Sequence, residues 1–348
     1  MKNLEKFALI DLHSHLDGAI MPEMIIELAN KVGVKLPTYD PVELKEYVSA
    51  DINCESLVEY LNCFEIPCSV MQTKENISDS VYYVLKDQDK RGLIYTELRF
   101  APQKHIEGGL TMDEVIQAAI DGRNRAMAEC DIKANIICCC MKGPGKDGLL
   151  PDFTEGNIAT VKAARKFLGK GVCLVDIAGA ENLCPIDEFE YIFDLCKELG
   201  MPFITHAGEN TTADQVKKAI EYGAQRIGHG LQTIQDPEIM KFVAEKGTPL
   251  EMCPVSNLQT KSILDIKKYP IREFLDAGIR VTINTDNLNV SRTQLVNEYQ
   301  LVFDNLDLDE KDAVQLLKNS IYACAISDEE KQQLVERLKK DPFYADMF

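Results

Sequence analysis

The sequence predicts a (β/α)8 barrel with additional helices, on three observations. Eight short apolar segments alternate with amphipathic segments, as strands buried on both faces alternate with helices in parallel α/β folds. The chain has 348 residues, a length at which such barrels form a single domain, so we expect one domain over 1–348. Histidines and carboxylates follow the apolar segments, where barrel active sites lie. An open doubly wound sheet is the alternative, but no GxGxxG phosphate loop follows the first apolar segment.

The first strand begins with the apolar run FALI and leads into the stretch DLHSHLDG, residues 11–18. The helix after it, 22–33, has a proline at its start and a glycine at its end, as helices favour. Short helical pieces are expected within 41–72, longer helices at 74–91, 111–130, 155–169, 187–199, 213–223, 236–246 and 269–277, and helix again after 287. The remaining strands are expected at 94–102, 134–141, 171–179, 202–209, 226–230, 248–257 and 279–287.

The composition limits the partners and the compartment. Lys and Arg number 38 against 56 Asp and Glu, and the net charge of −18 argues against nucleic acids and anionic membranes. The 12 cysteines include the consecutive Cys138, Cys139 and Cys140 and form no CxxC pair, so we expect reduced, mostly buried thiols. The beginning MKNLEKF has no apolar signal core, and no apolar run approaches ~20 residues. We therefore expect a cytoplasmic protein, with the oligomeric state left open.

Two histidines, His13 and His15, stand one residue apart at the end of the first strand. Alternate side chains of a strand leave the same face, so both imidazoles point to one place. Two imidazoles aimed at one point form half of a metal site, and nitrogen ligands suit zinc. The alternative for this motif alone is one structural and one exposed histidine. His206 and His229 also end expected strands, which disfavours a structural role for all four.

Asp286 ends the eighth expected strand and can complete the ligand set. Three histidines and a carboxylate hold Zn²⁺ with a position open for water, and zinc lowers the pKa of that water to about 7. Asp286 is placed to take the water's proton, and Glu209 to act as a separate acid. The alternative role for Glu209 is to stabilise a helix dipole. The residues alone predict a metal-dependent hydrolase of a C–N or related bond.

Nine motifs between Asp11 and Asn287 occur in the order found in one known family. They are LHSHLDG, SLVEYLNCF, YTELRFAP, CCCMKG, DIAGAE, THAGE, RIGHG, EMCPVSN and NTDN. The chain resembles the adenosine deaminase branch of the amidohydrolase superfamily. The ending NSIYACAISDEEKQQL is also similar to the C-terminal helices of that family.

The resemblance implies one Zn²⁺ per chain and the residues that surround it. The implied zinc ligands are His13, His15, His206 and Asp286. Asp286 would also accept the proton of the attacking water, and His229 would orient the resulting hydroxide. Glu209 would protonate the purine ring nitrogen N1, which lets the hydroxide add at C6 before ammonia leaves.

The resemblance also implies a purine nucleoside pocket. The Gly179 backbone N–H would meet N3, where the lack of a side chain permits close approach. Asp17 would accept the ribose 5′-hydroxyl, and His15 would border the substrate. The helix that would cover the pocket carries Leu57, Tyr60, Leu61 and Phe64, although an ordinary amphipathic core face is the alternative for each of these residues.

Asn287 is a departure from the family, which commonly has a second Asp at this position. The residue would contact the purine nitrogen N7, which is a hydrogen-bond acceptor. A carboxyl group donates only when it is protonated, whereas a carboxamide always has donors. We expect activity to survive the exchange, with altered binding or substrate tolerance.

The leading function is the hydrolytic deamination of adenosine or 2′-deoxyadenosine in purine salvage. The alternative is an adenine or modified-adenosine deaminase, and Asp17 argues against the free base. The motif DIAG at the end of the fourth strand has no lysine to bridge two metals, which favours a single metal ion. Nucleotides are disfavoured because no basic cluster accompanies Asp17. A further alternative is a metal-binding relative that kept the barrel but lost catalysis. The presence of Glu209, His229 and Asp286 together disfavours this alternative.

Several other polar residues are interpreted as structural. Glu97 and Arg99 are expected to pair with each other beneath the site, since a buried charge needs a partner. Asp176 could support a ligand or Glu209, and Ser256 and Asn257 are expected to shape a loop.

Two further polar residues lie near the expected site and are interpreted as solvent-facing. His105 is expected to be exposed, and Lys142 to be a solvated lysine near the mouth of the pocket.

Overall fold

The structure is a computed structural model that describes residues 7–50, 54, 60, 62–145, 148, 150–345 and 347. Within these residues, eight parallel strands form two four-stranded sheets with the orders β1-β2-β3-β4 and β5-β6-β7-β8. The strands are β1 Leu9–His15, β2 Leu93–Phe100, β3 Lys133–Met141, β4 Val172–Ala178, β5 Thr205–Ala207, β6 Ile227–His229, β7 Leu250–Met252 and β8 Val281–Ile283.

Two parallel bridges join these sheets into a closed ring. Val175 pairs with Phe203 between β4 and the segment before β5, and Ser14 pairs with Asp286 between β1 and the segment after β8. The second junction is held by two hydrogen bonds of 2.7 Å, from the His15 N–H to the Asp286 carbonyl and from the Asp286 N–H to the His13 carbonyl. The ring confirms the (β/α)8 barrel that the sequence predicts.

Helices connect consecutive strands and surround the barrel. In the described residues they are α1 Pro22–Val32, α2 Pro41–Val48, α3 Glu65–Val70, α4 Lys74–Lys90, α5 Met112–Glu129, α6 Thr154–Phe167, α7 Glu190–Leu199, α8 Ala213–Tyr222, α9 Pro237–Lys246, α10 Pro254–Gln259, α11 Ile271–Asp276, α12 Leu295–Asn305, α13 Glu310–Ala323 and α14 Asp328–Lys339. Their ends follow local chemistry: Thr111 accepts from the Glu114 N–H, the Glu114 carboxylate accepts in return from the Thr111 N–H, and Gly200 ends α7 in the left-handed conformation.

The strands are buried on both faces, as their apolar sequences predict. Cys138, Cys139 and Cys140 lie inside β3 as buried, unbridged thiols, and burial raises the pKa of each one. Among the described residues, the structure has no helix that is both long and apolar enough to cross a membrane.

The strands β5 to β8 have three residues each and are shorter than expected. The expected segments extend into polar sequence whose backbone leaves the ladder. Gly208, His229 and Asp286 have φ angles of 66°, 61° and 59°, which are incompatible with a continuing strand. His229 and Asp286 therefore lie where the backbone leaves the ladder, at the carboxyl end of the barrel.

Candidate active site

Four side chains from distant parts of the chain meet over the carboxyl end of the barrel. The Nε2 atoms of His15 and His206 lie 3.4 Å apart, and one carboxylate oxygen of Asp286 lies 3.5 Å from the Nε2 atoms of both His13 and His15. His13 Nε2 is buried with no hydrogen-bond partner in the described residues. Acceptor atoms crowded in this way repel one another unless a cation lies among them.

Carboxylates behind two of these histidines set the tautomer of each ring. His13 Nδ1 lies 2.8 Å from Glu251, and His206 Nδ1 lies 3.1 Å from Asp176. A carboxylate only accepts hydrogen bonds, so each Nδ1 carries the hydrogen and each Nε2 presents a lone pair to the cluster. Carboxylate–histidine pairs of this kind are the usual outer support of metal-ligating histidines.

The supporting carboxylates belong to a buried network of ion pairs inside the barrel. Arg99 bridges Asp176 and Glu251 at 2.8 Å each, and Arg226 bridges Glu251 at 2.6 Å and Glu97 at 2.5 Å. Burial alone would raise the pKa values of these carboxylates. His206 and Arg99 nevertheless hold the pKa of Asp176 well below its usual range. Arg99 and Arg226 do the same for the pKa of Glu251.

The charge of this network fits a divalent cation. With Asp286 included, four carboxylates face two guanidinium groups, which leaves two negative charges beside the imidazole nitrogens. Burial also lowers the pKa of His15 well below its usual value, which keeps that ring neutral. The imidazoles around Asp286, His13 foremost, hold the Asp286 pKa well below its usual range despite burial. Neutral imidazoles and one carboxylate are the ligands that zinc accepts.

His229 lies beside the cluster but has a different hydrogen-bond environment. The Asn257 amide nitrogen lies 3.1 Å from His229 Nδ1, and Tyr269 donates to the Asn257 carbonyl oxygen at 2.7 Å. Tyr269 thereby orients the amide so that its N–H donates to Nδ1. His229 must then carry its hydrogen on Nε2, which makes that atom a hydrogen-bond donor rather than a metal ligand.

Glu209 faces the same space from the turn that follows β5. One of its oxygens lies 3.7 Å from His229 Nε2, and the other accepts a hydrogen bond of 3.0 Å from Thr260. The turn is held by Glu181, which accepts from the backbone N–H groups of Gly208 at 2.5 Å, Glu209 at 2.8 Å and Asn210 at 3.2 Å. Glu181 therefore fixes where the Glu209 side chain begins.

A cavity of about 490 Å³ opens from this cluster toward solvent. Its walls include the expected substrate contacts His15, Asp17, Phe64, Gly179 and Asn287. Gly179 has a φ angle of 126°, and a Cβ there would lie 3.3 Å from Lys142, so both backbone and space favour glycine. The expected contacts Leu57 and Leu61 lie outside the described residues.

Asn287 already uses both of its amide hydrogens within the protein. They go to the Asp286 carboxylate at 2.8 Å and to the Tyr60 hydroxyl at 2.9 Å. Tyr60 is in turn 2.7 Å from the Ser291 hydroxyl. Donation from Asn287 to a purine nitrogen, as the sequence suggests, would require one of these two bonds to open.

Three expectations about the neighbouring residues are wrong. Glu97 does not pair with Arg99, because the closed barrel brings Arg226 to Glu97 and brings Asp176 and Glu251 to Arg99.

The other two concern residues expected to face solvent. Lys142 is 2% exposed, since its ammonium group donates to the His206 carbonyl at 3.0 Å. His105 is fully buried, because its loop folds back against Asp17.

Sequence reasoning missed the roles of Glu181 and Glu251, which it did not single out, and the partner of Asn257. Glu181 ends the motif DIAGAE and Glu251 begins EMCPVSN, so both stand inside motifs that the sequence displays. Their hydrogen-bond partners come from other βα units, and no local spacing indicates them.

The comparisons with known proteins agree with this geometry. The model of the family "Adenosine deaminase" matches residues 8–341. An adenosine deaminase of Haemophilus ducreyi is 40% identical over 97% of this chain and 97% of its own length.

Solved structures show the same fold at lower identity. An adenine deaminase from Arthrobacter aurescens has a TM-score of 0.82 at 22% identity over 95% of this chain and 98% of its own. An amidohydrolase from Burkholderia ambifaria with bound Zn has a TM-score of 0.84 at 17% identity over 99% of this chain and 91% of its own.

Fold and site together define a metal-dependent hydrolase built on a (β/α)8 barrel. The chain belongs to the adenosine deaminase family. Family and cluster together support a divalent metal ion at the carboxyl end of the barrel.

Proposed function

We propose that this protein, as one domain over 1–348, hydrolyses adenosine and 2′-deoxyadenosine to inosine and 2′-deoxyinosine, with release of ammonia. The observation that carries this proposal is the convergence of His13, His15, His206 and Asp286 in one cluster, which borders the cavity that Glu209 lines. The similarity to adenosine deaminases over nearly the whole chain supports this choice of substrate.

One zinc ion per chain would be held by His13, His15, His206 and Asp286. A zinc ion so bound lowers the pKa of water and thereby makes hydroxide available at neutral pH. The donor set fits zinc because the His13 and His206 rings are fixed with their Nε2 lone pairs toward the cluster. The excess of two negative charges in the network fits a dication as well.

The remaining groups move or hold protons at the purine. Glu209 donates a proton to N1 of the ring, which makes C6 electrophilic. Asp286 accepts the proton that the attacking water loses. The Nε2–H of His229 donates a hydrogen bond to the incoming oxygen, since Asn257 holds the hydrogen on that atom. Water adds at C6, and the proton held by Asp286 passes to the amine. The C6–N bond then breaks to release ammonia, and the proton of the C6 hydroxyl returns to Glu209, which leaves the C6 carbonyl of inosine.

The sugar end of the cavity favours a nucleoside over a nucleotide. Asp17, Glu65 and Glu107 line the cavity, with Lys104 and Lys142 as its basic residues. Carboxylates repel a 5′-phosphate, whereas Asp17 can accept a hydrogen bond from a 5′-hydroxyl. Gly179 also lines the cavity, and we propose that its backbone N–H meets N3 of the base.

Purified protein loaded with zinc and incubated with adenosine tests the proposal. We expect loss of absorbance near the adenosine maximum, release of one ammonia per inosine formed, and one zinc per chain by elemental analysis. Adenine, N6-methyladenosine and adenosine 5′-monophosphate serve as competing substrates. Intact adenosine together with ammonia release from adenine would assign the protein to the alternative, a deaminase of the free base.

A further inference from the structure

His105 is a buried histidine for which the deamination chemistry provides no role. It lies in the loop after β2, with no exposed surface, and its ring contacts Phe100 at 5.5 Å between ring centroids. His105 Nδ1 lies 3.0 Å from the Met71 carbonyl oxygen, and His105 Nε2 lies 3.0 Å from a carboxylate oxygen of Asp17. The ring is thus held between a backbone oxygen and a side chain that lines the cavity.

Both neighbours of this imidazole are hydrogen-bond acceptors. The Met71 carbonyl oxygen only accepts, so Nδ1 carries a hydrogen. His105 Nε2 faces an Asp17 carboxylate oxygen at 3.0 Å, and both atoms are buried with no other hydrogen-bond partner in the described residues. The Asp17 carboxylate and the His105 ring are therefore paired with each other inside the protein.

Asp17 depends on this contact for its position. It is 8% exposed and follows β1 closely, and the pairing with His105 is the polar contact that the described residues provide to its side chain. A short carboxylate without this partner is free to rotate about its side-chain bonds. The contact fixes one oxygen against His105 and leaves the other available to the cavity.

We propose that His105 is a positioning residue that sets the preference of this site for nucleosides with a free 5′-hydroxyl. It orients the Asp17 carboxylate so that the second oxygen accepts the hydrogen bond of that hydroxyl. This inference rests on the proposed function, because it concerns the sugar end of the same cavity. A site built to pair with a hydroxyl rejects the analogue that lacks it, since the buried acceptor is then left unpaired.

Two substitutions of similar size separate positioning from structural support. His105→Gln can place an amide N–H near the former Nε2 position and keep the contact with Asp17. His105→Asn can place an amide N–H near the former Nδ1 position, where it keeps the Met71 contact but does not reach Asp17. A purely structural role would make both variants lose activity alike, or would favour the asparagine.

The experiment compares adenosine with 5′-deoxyadenosine, which has the same base and lacks the 5′-hydroxyl. We expect His105→Asn to lower kcat/KM for adenosine ~10-fold or more, the effect of one hydrogen bond to a charged group, mainly through KM. Its kcat/KM for 5′-deoxyadenosine should stay within about twofold of the wild-type value. His105→Gln should retain most of the wild-type preference.

Asn76→Ala is the matched control. Asn76 is buried and donates to the Val70 carbonyl at 2.7 Å, one residue before Met71, so its loss loosens the same segment without contact to Asp17. We expect Asn76→Ala to lower thermal stability but to leave the preference for adenosine over 5′-deoxyadenosine unchanged. An Asn76→Ala preference that falls as far as that of His105→Asn would overturn the inference.

Binding of inosine and 5′-deoxyinosine by calorimetry distinguishes this inference from the proposed function. Wild-type protein that prefers inosine but does not deaminate adenosine contradicts the proposed function and keeps the inference. If the wild-type protein is active and His105→Asn has the same preference for adenosine over 5′-deoxyadenosine, the inference is contradicted while the proposed function stands. Wild-type protein that binds both products equally overturns the inference as well.

Discussion

At the scale of single residues, hydrogen-bond partners decide what each histidine in the cavity can do. His13 and His206 are backed by carboxylates, which leaves their Nε2 atoms as electron-pair donors. His229 is backed by the Asn257 amide, which makes its Nε2 atom a hydrogen donor. The same side chain thus serves as a ligand or as a donor according to one contact behind it.

The first prediction concerns Glu209, which we propose as the acid that protonates N1. Glu209→Gln keeps the shape of the side chain and can still pair with Thr260 but cannot supply the proton. We expect zinc content to stay at the wild-type value and turnover of adenosine to fall by ~10²–10⁴-fold or more. Elemental analysis and steady-state kinetics on the same sample check this. Wild-type turnover in the variant would remove Glu209 from the chemistry.

The roles of residues whose direction is set by their own strand could be predicted from the sequence. The roles of residues that depend on a contact with a distant segment could not. His13 and His15 are recognisable because strand periodicity aims them at one place. His105 was expected to be exposed, because nothing local indicates that its loop folds against Asp17. Such contacts between distant segments exist only once the barrel has closed.

At the scale of elements, the carboxyl ends of the strands position the site. The alternation of apolar and amphipathic segments predicts most helices to within a few residues, as for 22–33 against Pro22–Val32. The same alternation predicts the last four strands to be longer than they are, because it does not indicate where the backbone turns away from the strand. Glu97 and Arg99 do share a face of β2, but interior partners on other strands lie closer to each of them.

The second prediction concerns Glu298 in α12, whose carboxyl group connects this helix to the start of α10. It accepts from the Thr293 hydroxyl at 2.6 Å and from the Val255 N–H at 3.0 Å. Burial raises its pKa from 4.5 to about 8. The folded protein therefore holds a proton that the unfolded chain releases between these pH values, and stability falls as pH rises through this window.

Glu298→Gln removes this proton uptake. We expect the free energy of unfolding of the wild-type protein to decrease more steeply with pH between 5 and 8 than that of the variant, by at most about 1.4 kcal/mol per pH unit. Urea unfolding at several pH values measures the difference. Glu221→Gln, at an exposed position of α8, is the control and should keep the wild-type slope. Equal slopes for Glu298→Gln and wild type would contradict the prediction.

At the scale of the whole molecule, the charge distribution separates the surface from the interior. The chain carries a net charge of −18, yet the interior carboxylates of Glu97, Asp176 and Glu251 are bridged by Arg99 and Arg226. The network extends from Glu97 through Arg226 and Glu251 to the histidines at the carboxyl end. The composition alone shows the excess of acid but not this internal pairing, which depends on strands that lie far apart in the chain.

The third prediction tests how much the molecule depends on this pairing. Arg226 is 2% exposed and contacts Glu97, Glu251 and, at 2.8 Å, the Ala323 carbonyl at the end of α13. Arg226→Met leaves two buried carboxylates without their shared partner. We expect a loss of about 3–5 kcal/mol in the free energy of unfolding, because an uncompensated buried charge is costly.

Lys166→Met provides the comparison, since its ion pair with Asp113 is as short, at 2.6 Å, but has 60% and 44% of the two side chains exposed. Solvent already stabilises both of these charges, so we expect a loss of only about 0–1 kcal/mol. Chemical denaturation of both variants measures the contrast. Adding Glu97→Gln to Arg226→Met should recover part of the loss, because one of the two unpaired charges is then removed. Equal stability of the two single variants would mean that the buried network does not hold the barrel together.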